Sequence, residues 1–190
     1  WPVKAQAVGG RHYRDEAIDQ NFDSYSVEYT FADGTKFFYQ GRTMKNCRGD
    51  YSSVADGSKG SAIITTDRAT PGRSRTFKGH SLSDKDLIWA VPPPAPNPYR
   101  MVWEDLIHAI RGAKPYHEVK RGVEASRVPS MGRMAAHTGQ IVTYDEILNH
   151  EHEFAPGLDT LSEDSPAPLK ADGQGRYPVP APGQIKGREY

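Results

Sequence analysis

The chain is short of several things, and each shortage narrows what it does. It has one cysteine, Cys47, in 190 residues, so an intrachain disulfide and any multi-cysteine metal site are excluded. It has no net charge, with 24 Lys and Arg against 24 Asp and Glu. That balance argues against a nucleic-acid groove or an anionic membrane surface as the main partner. No apolar run approaches the roughly 20 residues a spanning helix needs, and no signal peptide is legible. There is no Gly-x-Gly-x-x-Gly opening a helix, no phosphate loop and no Gly-x-Ser-x-Gly elbow. Gly57-Ser58-Lys59-Gly60 has the look of a phosphate loop, but it lies between strands, without the helix dipole that would hold an anion, and is read as a turn.

What is present is aromatic and punctuated. There are ten Tyr, 15 Pro and 18 Gly. The chain is the size of one domain with extensions and can bury a substantial core. Residues 1–150 read as that domain, and 151–190 as an extended tail rich in Pro and Gly. The start on Trp1-Pro2 reads as a fragment or a processed product, and the compartment is left open.

The first half reads as strands. Val3, Ala5 and Ala7 alternate with polar neighbours up to Gly9-Gly10. Tyr25, Val27, Tyr29 and Phe31 alternate with Ser24, Ser26, Glu28 and Thr30. Asp33-Gly34 then predicts a two-residue hairpin turn, returning along Thr35 to Arg42 with Tyr29 opposite Phe38 and Glu28 opposite Tyr39. That register puts Phe37 and Tyr39 on the sheet's second face and invites a subunit, domain or ligand there. Tyr51 to Ala55 and Ser61 to Thr65 predict strands around an Asp56-Gly57 turn, with a weaker strand over Arg73 to Lys78. Pro92-Pro93-Pro94-Ala95-Pro96 is a stiff, extended linker.

The second half carries the helices. Trp103, Leu106, Ile107 and Ile110 share one helical stripe, with Asn97 as N-cap, Pro98 as first residue and Gly112 as stop. Trp103 is expected in the core. Val119, Val123 and Ser126, then Met131, Met134 and Ala135, mark a second helical pattern. It is interrupted at Pro129 by a kink or a break and closed by Gly139 as a left-handed cap. Thr143 and Glu146 have capping-box spacing. The fold class is therefore α/β (α+β): a large open, mostly antiparallel sheet, helices on one face and a Pro-rich tail.

No catalytic constellation emerges from these residues. Arg11, Tyr39 and Arg42 lie on strands where they could reach an anionic or hydroxylated ligand; sheet packing or ion pairing is the alternative for each. His80 lies at a strand end, where ligand loops occur, but a structural or surface role competes. His150 and His152 form a His-x-His pair with no third metal ligand in view. His108 and His137 read as partnered or exposed helix residues, and Arg111, Lys114, Arg121 and Arg133 as a solvated or capping face.

The stretches WPVKAQAVGGR, YSVEYTFADGTKFFYQGR, DGSKGSAII, NPYRMVWEDLIHAIRGAKPYHEV, MGRMAAHTGQIVTYDEIL and YPVPAPG together resemble the C-terminal half of bacterial proteins of the glucose–fructose oxidoreductase/inositol dehydrogenase (Gfo/Idh/MocA) family. The resemblance covers nearly the whole chain and is most specific in the MGRMAAHTGQ segment. It implies a substrate-binding and oligomerisation domain whose Rossmann partner lies upstream of Trp1. It also implies NAD or NADP in the parent enzyme, none bound by this chain alone, and a small carbohydrate-like substrate. A homo-oligomer built on the open sheet face is implied as well. The family's catalytic Lys, Asp and His fall upstream of Trp1, so no catalytic residue is expected here. Arg11, Tyr39, Arg42 and His80 are the substrate-side candidates. A free-standing binding or assembly module without redox activity is the alternative.

Overall fold

The computed structural model describes residues 1–12, 19–66, 73–94, 96–153 and 155–190; Ala95 of the predicted Pro-rich linker lies outside them. In chain order the elements are β1 (Lys4–Gly10), β2 (Ser24–Thr30), β3 (Lys36–Arg42), β4 (Ser53–Gly57), β5 (Gly60–Thr65), β6 (Arg75–Lys78), β7 (Leu87–Ala90), α1 (Pro98–Arg111), α2 (Val119–Thr138), β8 (Val142–Thr143) and α3 (Tyr144–Leu148). The fold is mixed α/β and its strand pairs are antiparallel, as the alternation predicts. The strands divide between two four-stranded sheets, ordered β3-β2-β1-β8 and β4-β5-β6-β7. Two compact units result, one from Trp1–Lys45 with Glu118–Tyr190, the other from Asn46–His117.

In the first unit, the alternation of β1 and β2 puts Ala5, Val27 and Tyr29 on one face. There they meet Met131, Met134 and Ala135 of α2 and Val142 of β8. Met131 is fully buried, a burial that contributes about 1.5–3 kcal/mol. The contact is close because residue 132 is glycine: a Cβ there would sit 2.1 Å from the Tyr29 hydroxyl and 3.1 Å from Val27. α2 runs on through Pro129 as one helix and stops at Gly139, whose φ of 70° is left-handed. α3 begins with the predicted capping box of Thr143 and Glu146.

The β2–β3 register differs from the predicted one. The turn is not the two-residue Asp33-Gly34 type. Phe31 N–H donates to the Thr35 carbonyl at 2.9 Å and Gly34 N–H to the Phe31 carbonyl at 3.0 Å, which leaves three residues in the loop with Gly34 at φ 86°. This is a type I turn followed by a left-handed glycine. The extra loop residue moves β3 by one, so Tyr29 faces Phe37, Glu28 faces Phe38 and Val27 faces Tyr39. A one-residue slip exchanges the two faces of a strand. Phe37 and Tyr39 therefore lie on the helix side of the sheet, and the opposite face is mostly polar, with Lys4, Gln6, Ser26, Glu28 and Lys36 around Phe38. The case for subunits stacking on an aromatic second face through Phe37 and Tyr39 falls with that register.

The second unit is built on the β4–β5 hairpin, whose turn is Ser58-Lys59 rather than Asp56-Gly57. Its core is small, with Ile63 and Phe77 buried. β7, unpredicted, pairs with β6. Asn97 caps α1 as expected, accepting from the N–H groups of Tyr99 and Arg100, and the helix ends at Gly112. Trp103 corrects the expectation of a core position: it is 65% exposed. None of the helix's residues is buried. The apolar stripe is real, but among the described residues of its own unit no surface covers it.

Candidate functional site

α2 lies across β1, β2 and β8 and leaves the β3 side of its sheet uncovered. A cavity of about 550 Å³ opens there. Its walls are Tyr25, Val27 and Tyr29 of β2, Phe37 and Tyr39 of β3, and Val128, Pro129, Ser130, Gly132 and Arg133 of α2, with Asn21 also lining it. Tyr29 and Phe37 stack, ring centroids 5.5 Å apart and 15° from parallel. Burial pushes the Tyr29 phenol up to about 12, with Tyr39 adding to it, so the Tyr29 hydroxyl keeps its proton throughout the physiological range. Phe37 and Tyr39 are each about half-exposed. The site thus presents aromatic faces beside hydroxyl, amide and guanidinium groups, a lining suited to a small ligand with both apolar and polar edges.

Behind Arg133 lies a buried polar network. Glu189, almost at the end of the chain, is 1% exposed. Arg133 Nε donates to both its oxygens, at 3.1 and 2.9 Å. His137 Nδ1 lies 2.6 Å from Glu189 Oε2, and His137 Nε2 lies 2.9 Å from the Tyr25 hydroxyl. That hydroxyl accepts the Phe22 N–H at 2.9 Å, and Arg133 Nη1 donates to Asn21 Oδ1. Both ring nitrogens of His137 are thus engaged, Nδ1 with the carboxylate and Nε2 with the Tyr25 hydroxyl. Burial would raise the Glu189 pKa, but hydrogen bonding and charge from His137 and then Arg133 outweigh it and hold the carboxyl below its ordinary value. The tail reaches this position because Gly183 N–H donates to the Thr138 carbonyl at the end of α2, at 2.9 Å. Three cavity residues, Asn21, Tyr25 and Arg133, are therefore positioned by a side chain more than fifty residues beyond α2.

The residues predicted from sequence do not converge. Tyr39 lines the cavity. Arg11 ties a loop, donating to the backbone carbonyls of Asp19 and Asn21 at 2.7 and 2.8 Å. Arg42 closes β3 opposite Ser24. His80 belongs to the second unit, where its Nδ1 lies 3.0 Å from the buried Ser61 hydroxyl, which in turn donates to Asp56 at 2.5 Å. The Ser61 hydrogen bond, offset by some desolvation and aided by His80, holds the Asp56 carboxyl below its usual range. Serine, not histidine, is the middle member, so this set pins the β4–β5 hairpin rather than activating a nucleophile. Arg133, read from sequence as a solvated or capping residue, is corrected to a half-buried member of the network, whereas His137, read as partnered or exposed, is partnered and fully buried. His150 Nδ1 accepts the His152 N–H, and the His152 ring meets Tyr190 edge-on at 5.0 Å.

Both sheets are built from antiparallel ladders, and among the described residues no helix follows a strand through a glycine-rich turn as pyrophosphate binding requires.

No family model matches the chain, and no curated protein matches it. Solved oxidoreductase structures share its fold. The aldose–aldose oxidoreductase of Caulobacter crescentus, complexed with glycerol, superposes with a TM-score of 0.58 at 21% identity over 75% of this chain and 41% of its own. A Thermotoga maritima protein described as an oxidoreductase gives 0.53 at 15% identity, again over 75% and 41%. The chain spans about two fifths of the length of these structures.

Proposed function

We propose that the chain is the substrate-side domain of an NAD(P)-dependent oxidoreductase of the glucose–fructose oxidoreductase/inositol dehydrogenase type, acting on a sugar- or polyol-like substrate. The observation that carries this reading is the fold shared with two oxidoreductases over three quarters of the chain. The remaining three fifths of those proteins leaves ample length for a nucleotide domain. In this reading the hydride chemistry belongs to the cofactor and its own domain. This chain supplies the aromatic cavity, with Tyr39 and Phe37 stacking on a sugar's apolar face and Asn21, Ser130 and Arg133 meeting its hydroxyls. It is not catalytic alone.

The test is calorimetric titration of NAD(H) and NADP(H) into the isolated chain and into the product of the full reading frame. The isolated chain is expected to bind neither, and the full product to bind one. A dissociation constant below about 1 mM for the isolated chain contradicts the assignment of the nucleotide site elsewhere. Failure of both proteins moves the reading to a free-standing binding module. In the active full product, Tyr39→Ala is expected to raise KM with little change in melting temperature.

A further inference from the structure

Among the described residues that line the cavity beside β3, Arg133 alone carries a charged side chain. The rest of the wall is aromatic, aliphatic, amide or hydroxyl, and the Tyr29 phenol keeps its proton. How Arg133 presents its charge therefore decides what charge the cavity accepts. A guanidinium open at a half-buried wall is a fork for carboxylate or phosphate. Here the fork is already engaged. Its Nε is held against both oxygens of Glu189, at 3.1 and 2.9 Å, and its Nη1 against Asn21 Oδ1.

Glu189 does not line the cavity itself. Its side chain is 1% exposed, against 30% for Arg133, and a carboxylate so deeply buried is tolerated only when it is paired and hydrogen-bonded. His137 Nδ1, 2.6 Å from Oε2, is its second partner. The chain on either side is tied down as well. Gly183 N–H bonds the Thr138 carbonyl, and Tyr190 lies edge-on against His152. The counter-charge is thus a fixed part of the wall.

We infer that Glu189 sets the charge selectivity of the cavity: pairing with Arg133 from behind the wall, it makes the site one for uncharged, hydroxyl-bearing ligands and turns away the corresponding acids. This rests on reading the cavity as a sugar or polyol site, and it states which members of that class are taken. Two effects act together. A ligand carboxylate entering the cavity gives up its water, while the guanidinium that would compensate is shared with a carboxylate 2.9 Å away. The ligand would also bring a second negative charge towards Glu189, and like charges repel strongly where water is scarce. A hydroxyl avoids both costs, because it accepts from the guanidinium edge without displacing Glu189.

The test is a ligand-observed magnetic resonance titration of the product of the full reading frame. The probes are two pairs differing only in a terminal hydroxymethyl or carboxylate: D-glucose with D-glucuronate, and D-galactose with D-galacturonate. Wild type is expected to bind the sugar of a pair at least about tenfold more tightly than its acid, the scale of one charge-assisted contact withheld. Glu189→Gln keeps the side chain's size and removes its charge. It is expected to raise affinity for the acid about tenfold and to change that for the sugar little, so the preference closes or inverts. Glu189→Asp keeps the charge and is expected to keep the wild-type order. Adding Arg133→Gln to Glu189→Gln is expected to abolish the gain, since the capturing cation is gone. A role confined to stability would move both members of a pair together and leave their ratio alone. A wild type that binds acid as tightly as sugar overturns the inference however the variants fold. An unchanged ratio in a folded Glu189→Gln, or a gain that survives loss of Arg133, does the same. A wild type that binds no member of either pair overturns the sugar reading itself.

Discussion

Helix α2 buries seven of its residues, all between Met131 and Thr138; helix α1 buries none. The difference is not in their own apolar content. Trp103, Leu106, Ile107 and Ile110 give α1 the better stripe, whereas Val119 and Val123 at the start of α2 are themselves exposed. What separates them is the surface opposite. α2 has Val27 and Tyr29 within reach and a glycine at residue 132 that lets the backbones close. An apolar stripe states a demand for cover; burial follows only where another element meets it.

The contrast is open to direct measurement. The largest effect belongs at the α2 contact: Met131→Ala is expected to cost about 2–5 kcal/mol, the range for a buried methionine, read by denaturant unfolding. Gly132→Ala follows, at about 1–3 kcal/mol for overpacking, because Tyr29 and Val27 must retreat from the new methyl group. Both losses should be visible in tyrosine fluorescence from the β2–β3 hairpin. Glu189→Gln comes next, with an expected loss of about 1–3 kcal/mol at neutral pH. Its signature is the pH profile. The Glu189 carboxyl titrates below its ordinary value in the folded chain, so its stabilisation is complete above the ordinary carboxylate range. It fades as pH falls through that range towards the lowered folded value. Wild type and variant should converge in acid; parallel profiles would remove Glu189 from the linkage. The smallest effect belongs to α1. Trp103→Ala should change stability within about 0.5 kcal/mol, as for an exposed site. A loss comparable with Met131→Ala would show that α1 has a covering surface in solution.

Much of this fold is legible in local chemistry alone. The caps at Asn97, Gly139 and Thr143 need only a side chain and its neighbours, and all three are present. The strands over 4–10 and 24–30 follow from alternation. The hairpin register is not legible, because Asp-Gly serves both a two-residue loop and the last positions of a three-residue one. That single residue decides which face Phe37 and Tyr39 occupy. The cavity is half legible: Tyr39 stands out in the sequence, but Arg133 reads there as a solvated helix residue. Its partner Glu189 sits in a tail with no periodicity, and nothing local signals an ion pair across fifty-six positions. A charged residue near the end of a Pro-rich segment, beside a helix carrying Arg and His four apart, is the one hint the sequence holds.

The first unit is also interrupted in the sequence, with consequences for how the chain is made. β1 to β3 emerge from the ribosome before the whole Asn46–His117 unit, and their covering helix, β8 and Glu189 all come after it. About a hundred residues separate the end of β3 from β8. At about 5 to 20 residues per second that is an interval of roughly 5 to 20 seconds. Throughout it, a hairpin carrying Tyr25, Val27, Tyr29, Phe37 and Tyr39 on one face waits without its lid.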